Sequence, residues 1–192
     1  MSTRIPNLPR IVRGCEDALA QAGPLAATLL DVGRSDGRIV TDHRTSWVRE
    51  VPVDGASYFV KVYEYATWAS RLRDFGRRTA AWSRSRAAAE WDALAWLRAR
   101  GFAAPEPVLA GELRRAGFLV RAVLATRRFD GRTVEAWLMQ LDGGAKGELA
   151  AAVGALVARL HRLGFRDGNL DLRNLLAHRD HANQWVVAKI DS

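Results

Sequence analysis

The strongest constraint on this fold is a change of hydrophobic period partway along the chain. Ser46–Val53 and Ser57–Tyr63 are rich in β-branched and aromatic residues, and Val53-Asp54-Gly55-Ala56 joins them. An Asp-Gly pair between two such runs signals a tight hairpin, because its turn needs positive φ at both central positions. Together with Gly37–Thr41 before them, and Val108–Glu112 and Phe118–Leu124 after Pro105 and Pro107, these runs predict an antiparallel meander. Further on, the period lengthens to that of a helix. Leu149, Val153, Leu156, Val157, Leu160 and Leu163 mark one face of a predicted helix over Lys146–Leu163, which Gly164 ends. Ser85–Arg100 carries a shorter stripe, Trp91, Leu94, Ala95 and Leu97, stopped by Gly101 where a left-handed cap belongs. A β-rich first half and an α-rich second half predict an α+β protein of two lobes.

The remaining segments are read around this frame. Residues 1–36, punctuated by Pro6, Pro9 and Pro24, are expected to form an N-terminal extension with a short helix over Arg10–Ala22. Thr133–Gln140 reads as a short helix, Gly143-Gly144 as a break, and Leu175-Leu176-Ala177 with Trp185–Ile190 as a closing strand pair. The single cysteine, Cys15, rules out a disulfide framework within the chain and suits a reducing compartment. No apolar run is long enough to span a bilayer, and Pro6 and Pro9 interrupt any signal-peptide core. A cytoplasmic location is therefore expected, with peripheral contact at the inner membrane. The net charge of +8 favours an anionic partner. Nucleic acid is not expected, since no nucleic-acid motif is present. The stretch Thr67–Arg86 has six arginines against one acid, Asp74. It reads either as a solvated face or as a patch that meets anionic lipid.

Four features carry candidate chemistry. Lys61 lies within Tyr58-Phe59-Val60-Lys61-Val62-Tyr63, and it is one of only three lysines among 29 basic residues. A strand lysine either snorkels to water or aims its ammonium into a cleft, where it would meet phosphate oxygens. Glu90 sits at the edge of the stripe on the following helix, as an exposed glutamate or as the anion a buried lysine needs. The polar loop from Gly164 to Asn174 separates the long helix from an apolar strand, and Asp191 ends the last strand. Asn174 and Asp191 offer the oxygen donors that Mg²⁺ prefers.

A strand lysine, a helix glutamate, a helix-loop-Asn-Leu-Leu segment and a strand-ending aspartate, in that order, resemble the protein-kinase-like fold. The finer resemblance is to the lipopolysaccharide core (Kdo/heptose) kinase family. It rests on Tyr58–Tyr63, on Glu90-Trp91 through Leu97, and on Gly101-Phe102-Ala103-Ala104-Pro105-Glu106-Pro107-Val108. Leu160-His161-Arg162-Leu163-Gly164-Phe165 and Asp171-Leu172-Arg173-Asn174-Leu175-Leu176 complete it. The resemblance spans roughly Gly37 to Ser192. It implies a β-rich N-lobe with one main helix over 37–124 and a mostly helical C-lobe over 125–192 that holds the catalytic loop and a metal-binding strand end. It implies ATP and Mg²⁺ as cofactors and a lipopolysaccharide sugar or similar hydroxyl as acceptor. Lys61 would bind the α- and β-phosphates, Glu90 would hold Lys61, and Asn174 and Asp191 would hold Mg²⁺. All of these would act on one triphosphate.

The pattern departs from the family in four places. The catalytic aspartate is expected five residues before the metal-binding asparagine, where this chain has Asn169. An amide cannot accept a proton, and base catalysis is typically worth about 10²–10⁴-fold. Asp167 and Asp171 flank Asn169, and Asp171, nearer Asn174, is the preferred base. The alternative is a nucleotide-binding pseudokinase acting as scaffold or regulator. His178-Arg179-Asp180 spells a familiar kinase triplet but falls after Leu175-Leu176, with no asparagine at the required spacing, and reads as a solvated turn. No glycine-rich loop occupies the first hairpin, so backbone near His43–Ser46 is expected to cover the phosphates. A kinase fold continues past the point where this sequence ends, so the C-lobe is expected to be truncated.

Overall fold

The computed structural model describes residues 9–14, 24–65, 67–73, 79–80, 82–166 and 170–190. The chain divides into two units, Met1–Ala95 with Glu106–Arg128, and Trp96–Pro105 with Phe129–Ser192.

The first unit is built on a six-stranded antiparallel sheet. Its strands are β1 (Arg10–Gly14), β2 (Arg38–Asp42), β3 (Ser46–Val53), β4 (Ala56–Glu64), β5 (Pro107–Arg115) and β6 (Phe118–Arg127). Their order is β1-β5-β6-β4-β3-β2. The β3–β4 hairpin turns as the Asp-Gly pair predicts, with φ of 48° at Asp54 and 78° at Gly55. Ser46 pairs with Tyr63 and Val53 with Ala56, so the register holds to the turn.

The stretch read as an extension contributes two elements to this unit. The helix expected over Arg10–Ala22 is corrected over Arg10–Gly14, where β1 pairs antiparallel with β5, and its remainder, residues 15–22, lies outside the described residues. Pairing along an open sheet edge outweighs the weak local helical pattern, because it satisfies a row of backbone groups at once. The second element is helix α1 (Pro24–Asp31), which lays Ala26, Leu29 and Leu30 on one face of the sheet. They close a core with Trp47, Val60, Val62, Leu109 and Val123. Gly111 of β5 lies beneath α1, and a Cβ there would stand 2.3 Å from a Leu30 methyl. Helix α2 (Trp68–Arg73) follows β4, and helix α3 (Arg86–Ala99) runs from the first unit into the second.

In the second unit, β7 (Arg132–Thr133), β8 (Leu175–Arg179) and β9 (Trp185–Lys189) form a three-stranded sheet. Helix α4 (Val134–Leu138) and helix α5 (Gly143–Arg162) accompany it. The glycines read as a break instead open α5. Asp142 is the N-cap and accepts a hydrogen bond from Ala145 N at 2.9 Å. A capping carboxylate satisfies a free first-turn amide, which offsets the poor helix propensity of Gly143 and Gly144. The α5 stripe of Leu149, Val153 and Leu156 packs with Val134, Leu175, Ala177 and Val187. Trp137 donates from Nε1 to Ala177 O at 2.8 Å and meets the Trp185 ring edge-on. Among the described residues, no helix is long and apolar enough to cross a membrane.

Candidate active site

Strand alternation places the first group. Val60 and Val62 of β4 are fully buried in the core under α1, so Phe59, Lys61 and Tyr63 project from the opposite face. Lys61 is flanked by Val48 on β3 and Leu124 on β6. Glu90 arrives on α3 from a face that also buries Ala87 and Leu94. The run Ala87-Ala88-Ala89 beside it is free of bulk, which lets a helix approach a sheet closely.

The Lys61 ammonium lies 3.1 Å from both Glu90 oxygens. The Lys61 side chain is 19% exposed and that of Glu90 is 3% exposed. Of the two readings open for each residue, the geometry selects the paired ones: Glu90 is buried and Lys61 does not snorkel away. A carboxylate this deep is tolerable only when counter-charge and hydrogen bonds meet it. Tyr63 supplies part of that, donating its hydroxyl to Glu90 Oε1. The Arg86 guanidinium lies 4.8 Å over the Tyr63 ring and so restricts its position. Sequence reading did not single out Tyr63. The signal was present, because a residue two positions from Lys61 shares its face of the strand.

Two further polar groups brace this sheet. Arg34 donates from Nη2 to His43 O and Arg44 O at 3.0 and 2.9 Å, pinning the glycine-free β2–β3 turn expected to cover phosphates. Glu50, on the same face as Lys61, accepts from Ser57 Oγ at 3.0 Å, Arg38 Nε at 2.8 Å and Arg128 Nη1 at 2.8 Å. The Arg38 hydrogen bond chiefly holds its carboxyl below the ordinary glutamate range. Arg128 is the last residue of the first unit and also donates from its backbone N to Ser57 O.

The second unit carries the other predicted residues. A 3₁₀ turn, Leu172–Asn174, begins at Asp171, and Asn174 N donates to Asp171 O at 2.8 Å. Ile190 N donates to Asn174 O at 3.1 Å, which ties Ile190, just past β9, to the 3₁₀ turn. Asp191, Asp167 and Asn169 lie outside the described residues. Asp171 Oδ1 accepts from Arg173 N at 2.9 Å and Nε at 3.1 Å, and Oδ2 accepts from Arg173 Nη2 at 2.6 Å. This clamp lowers the Asp171 carboxyl to about 2. A carboxylate so held is ionised at any physiological pH but is a weak proton acceptor. Arg173 was not singled out in the sequence, although it stands two residues from Asp171.

His178 and Arg179 lie in β8, opposite Val186 and Trp185, and only Asp180 is in the turn. There its Oδ1 accepts from Ala182 N and Gln184 N at 2.9 Å each. Arg179 binds Glu148 at 2.7 Å. The triplet is thus a hairpin end. Among the described residues no cluster of three histidine, cysteine or acidic side chains is arranged to hold a metal.

The model of the lipopolysaccharide kinase (Kdo/WaaP) family matches residues 31–191. Among solved structures, one described as WaaP in complex with acyl carrier protein is similar in fold, with a TM-score of 0.60 and 19% identity. That match covers 95% of this chain and 70% of the other. No curated protein matches the chain.

Proposed function

Because the chain belongs to the lipopolysaccharide kinase (Kdo/WaaP) family, we propose that it transfers the γ-phosphate of ATP to a hydroxyl of a lipopolysaccharide core sugar or a similar acceptor. The observation that carries this reading is the Lys61–Glu90 pair. Its carboxylate is buried, and its ammonium is fixed at 3.1 Å yet still reaches solvent. An ammonium anchored in this way suits the α- and β-phosphates of a nucleotide, as a point charge of set position.

The first unit serves as the ATP-holding lobe and the second carries the catalytic loop and metal ligands. Asn174 and Asp191 would hold Mg²⁺ through their side-chain oxygens, and the ion would neutralise phosphate charge. The Asn174 side chain, half-buried and set by backbone bonds on both sides, suits that role. In the transfer, the acceptor oxygen bonds to the γ-phosphorus as the bond to the ADP oxygen breaks. The acceptor proton passes to a loop carboxylate, Asp171 in this reading. Phosphoryl transfer asks little of the base, since the transition state is loose and positioning dominates.

Asn169, at the position of the expected base, favours a second reading, a nucleotide-binding pseudokinase. Transfer from γ-radiolabelled ATP to purified lipopolysaccharide core separates the two. Phosphorylated product, lost in Lys61→Ala while the fold persists, is the expected result. ATP binding with neither transfer nor hydrolysis would establish the pseudokinase. The lipid-borne acceptor supports work at an anionic membrane surface. The WaaP complex supports testing an acyl carrier protein as a partner by pull-down.

A further inference from the structure

Trp96–Pro105 belongs to the second unit, although both of its flanks belong to the first. The reason lies in two helix ends built alike. Leu97-Arg98-Ala99-Arg100-Gly101-Phe102 ends α3, and Leu160-His161-Arg162-Leu163-Gly164-Phe165 ends α5. The glycine has positive φ in each, 70° at Gly101 and 73° at Gly164. Phe102 N donates to Leu97 O and Phe165 N to Leu160 O, each at 3.0 Å. Gly101 N donates to Arg98 O and Gly164 N to His161 O. This pattern is the Schellman cap, which sets the direction of the residue after the glycine. Both caps therefore project a phenylalanine, and Trp96 receives both. Its ring lies 6.3 Å from that of Phe102, at 15° to it, and 5.0 Å from that of Phe165.

Arg159, in the last turn of α5, locks the two ends together. It donates from Nη2 to Arg100 O at 2.7 Å and from Nη1 to Gly101 O at 3.4 Å, with its guanidinium 4.2 Å over Phe102. It thus meets carbonyls that a helix end leaves without an intrahelical partner. Arg100 closes the stack, 4.0 Å over Trp96. The same connector reaches the far side of the candidate chemistry. Ala103 O, one residue past Phe102, accepts from Lys189 N at 3.4 Å, and Lys189 ends β9. Ile190, the next residue, is bonded to Asn174 O. Trp96–Ala104 therefore touches both Phe165, which opens the polar loop, and the exit from β9. A polar loop with one 3₁₀ turn has few bonds of its own, so its ends set its course. Ring pairs hold particular distances and tilts, which suits them to fix such an end. A displacement of about 1 Å at a reacting group can cost about 10²-fold in rate.

We propose that Trp96 and Arg159 are positioning residues, which act through Phe165 and Ala103 to hold the polar loop in the place that phosphoryl transfer requires. The inference deepens the proposed function and rests on it for the rate readout alone.

Trp96→Leu, Arg159→Leu and Trp96→Phe are compared with the wild-type chain by hydrogen exchange and initial-rate kinetics. In the two leucine variants the amides of Gly164, Phe165 and Asn174 are expected to exchange at least about tenfold faster, while those of Leu149–Leu156 in the body of α5 keep their protection. The kcat is expected to fall by about 10–10²-fold with the KM for ATP within about threefold, because Lys61 and Glu90 are untouched. Trp96→Phe keeps a ring and is expected to return kcat to within about threefold of wild type. A role in packing alone would speed exchange in the body of α5 as much as in the loop and would leave kcat of the folded protein unchanged. That result overturns the proposal, as does faster loop exchange with no loss of kcat. If the wild-type chain transfers no phosphate, the kinase reading falls by itself, and the contrast in exchange between loop and α5 alone upholds or overturns the hold on the loop.

Discussion

Glu90→Gln separates the charge of the Lys61–Glu90–Tyr63 group from its shape. The amide keeps the volume of the side chain and retains one acceptor, so no cavity opens. Its carbonyl still accepts a hydrogen bond, but as a neutral acceptor. At 3.1 Å and an effective dielectric of about 20, the Lys61–Glu90 attraction is about 5 kcal/mol before desolvation is counted. Most of that is offset by taking both ions from water. A firmer measure comes from hydrogen-bond classes. Bonds to charged groups contribute about 1.5–3 kcal/mol and neutral ones about 0.5–1.5 kcal/mol, so each converted bond loses about 1–1.5 kcal/mol. Lys61 and Tyr63 both donate to Glu90, so the substitution costs about 2–3 kcal/mol. For a chain of this length that lowers Tm by about 4–12 °C. If the same pair fixes the ammonium for phosphate binding, kcat/KM for ATP falls by roughly thirtyfold or more. Calorimetric melting and initial-rate kinetics read the two effects separately. Unchanged melting with kcat/KM within about twofold of wild type would refute the reasoning, because the buried carboxylate would then be holding nothing. Tyr63→Phe removes one donor to the carboxylate and is expected to cost the whole of one bond to a charged group, about 1.5–3 kcal/mol. A double-mutant cycle then reports the coupling through Glu90.

Arg173→Ala is expected to return the Asp171 carboxyl from about 2 toward its ordinary value near 3.8, followed by NMR titration of the side-chain carbon. The folded value is depressed, so the stabilisation it brings is complete above the unfolded value and is lost as pH falls through about 2. Asp171 therefore sets no acidic limb in the rate profile between about pH 5 and 8, and such a limb, if removed by Asp171→Asn, would show the clamp to be absent in solution. Asp171→Asn itself is expected to lower kcat by about 10²-fold, the low end of what a base contributes, with ATP affinity retained, and intact turnover in that variant would move the base elsewhere. Asp142→Ala removes the N-cap of α5 and is expected to cost about 1 kcal/mol, a fall in Tm of about 2–4 °C.

The elements legible in the sequence are those whose signal is local. The β3–β4 turn was readable because Asp54 and Gly55 must both take positive φ, which few residue pairs tolerate. The body of α5 was readable because its apolar stripe, Leu149 to Leu163, repeats for about four turns. What escaped depends on distant partners. β1 is a strand only because β5, nearly a hundred residues later, offers it an edge, and the isolated segment carries too few apolar positions to declare a period. The start of α5 escaped for a different reason. Two adjacent glycines speak against a helix, and a single capping carboxylate, Asp142, decides the matter against propensity.

The candidate site follows the same division, and here the limit of sequence reading is chemical rather than topological. Lys61 and Glu90 were legible as a pair only through the order of strand lysine, helix glutamate and polar loop, since each residue taken alone reads as well as a solvated charge. Tyr63 was not, because a tyrosine closing an aromatic strand needs no partner to make sense. Its role follows only from the depth of Glu90, a buried carboxylate with room for more than one donor, to which a phenol on the same strand face as Lys61 donates. Asp171 illustrates the reverse. A bare aspartate beside Asn169 reads as a substitute base, yet an arginine two residues on reaches back to both of its oxygens. The pairing that caps the 3₁₀ turn and orders the backbone of Asn174 is therefore the same pairing that drains Asp171 of basicity. In the proposed function, positioning of the Asn174 segment and proton acceptance would compete for one carboxylate, and a loose transition state that demands little of its base is the chemistry under which that compromise would be tolerable.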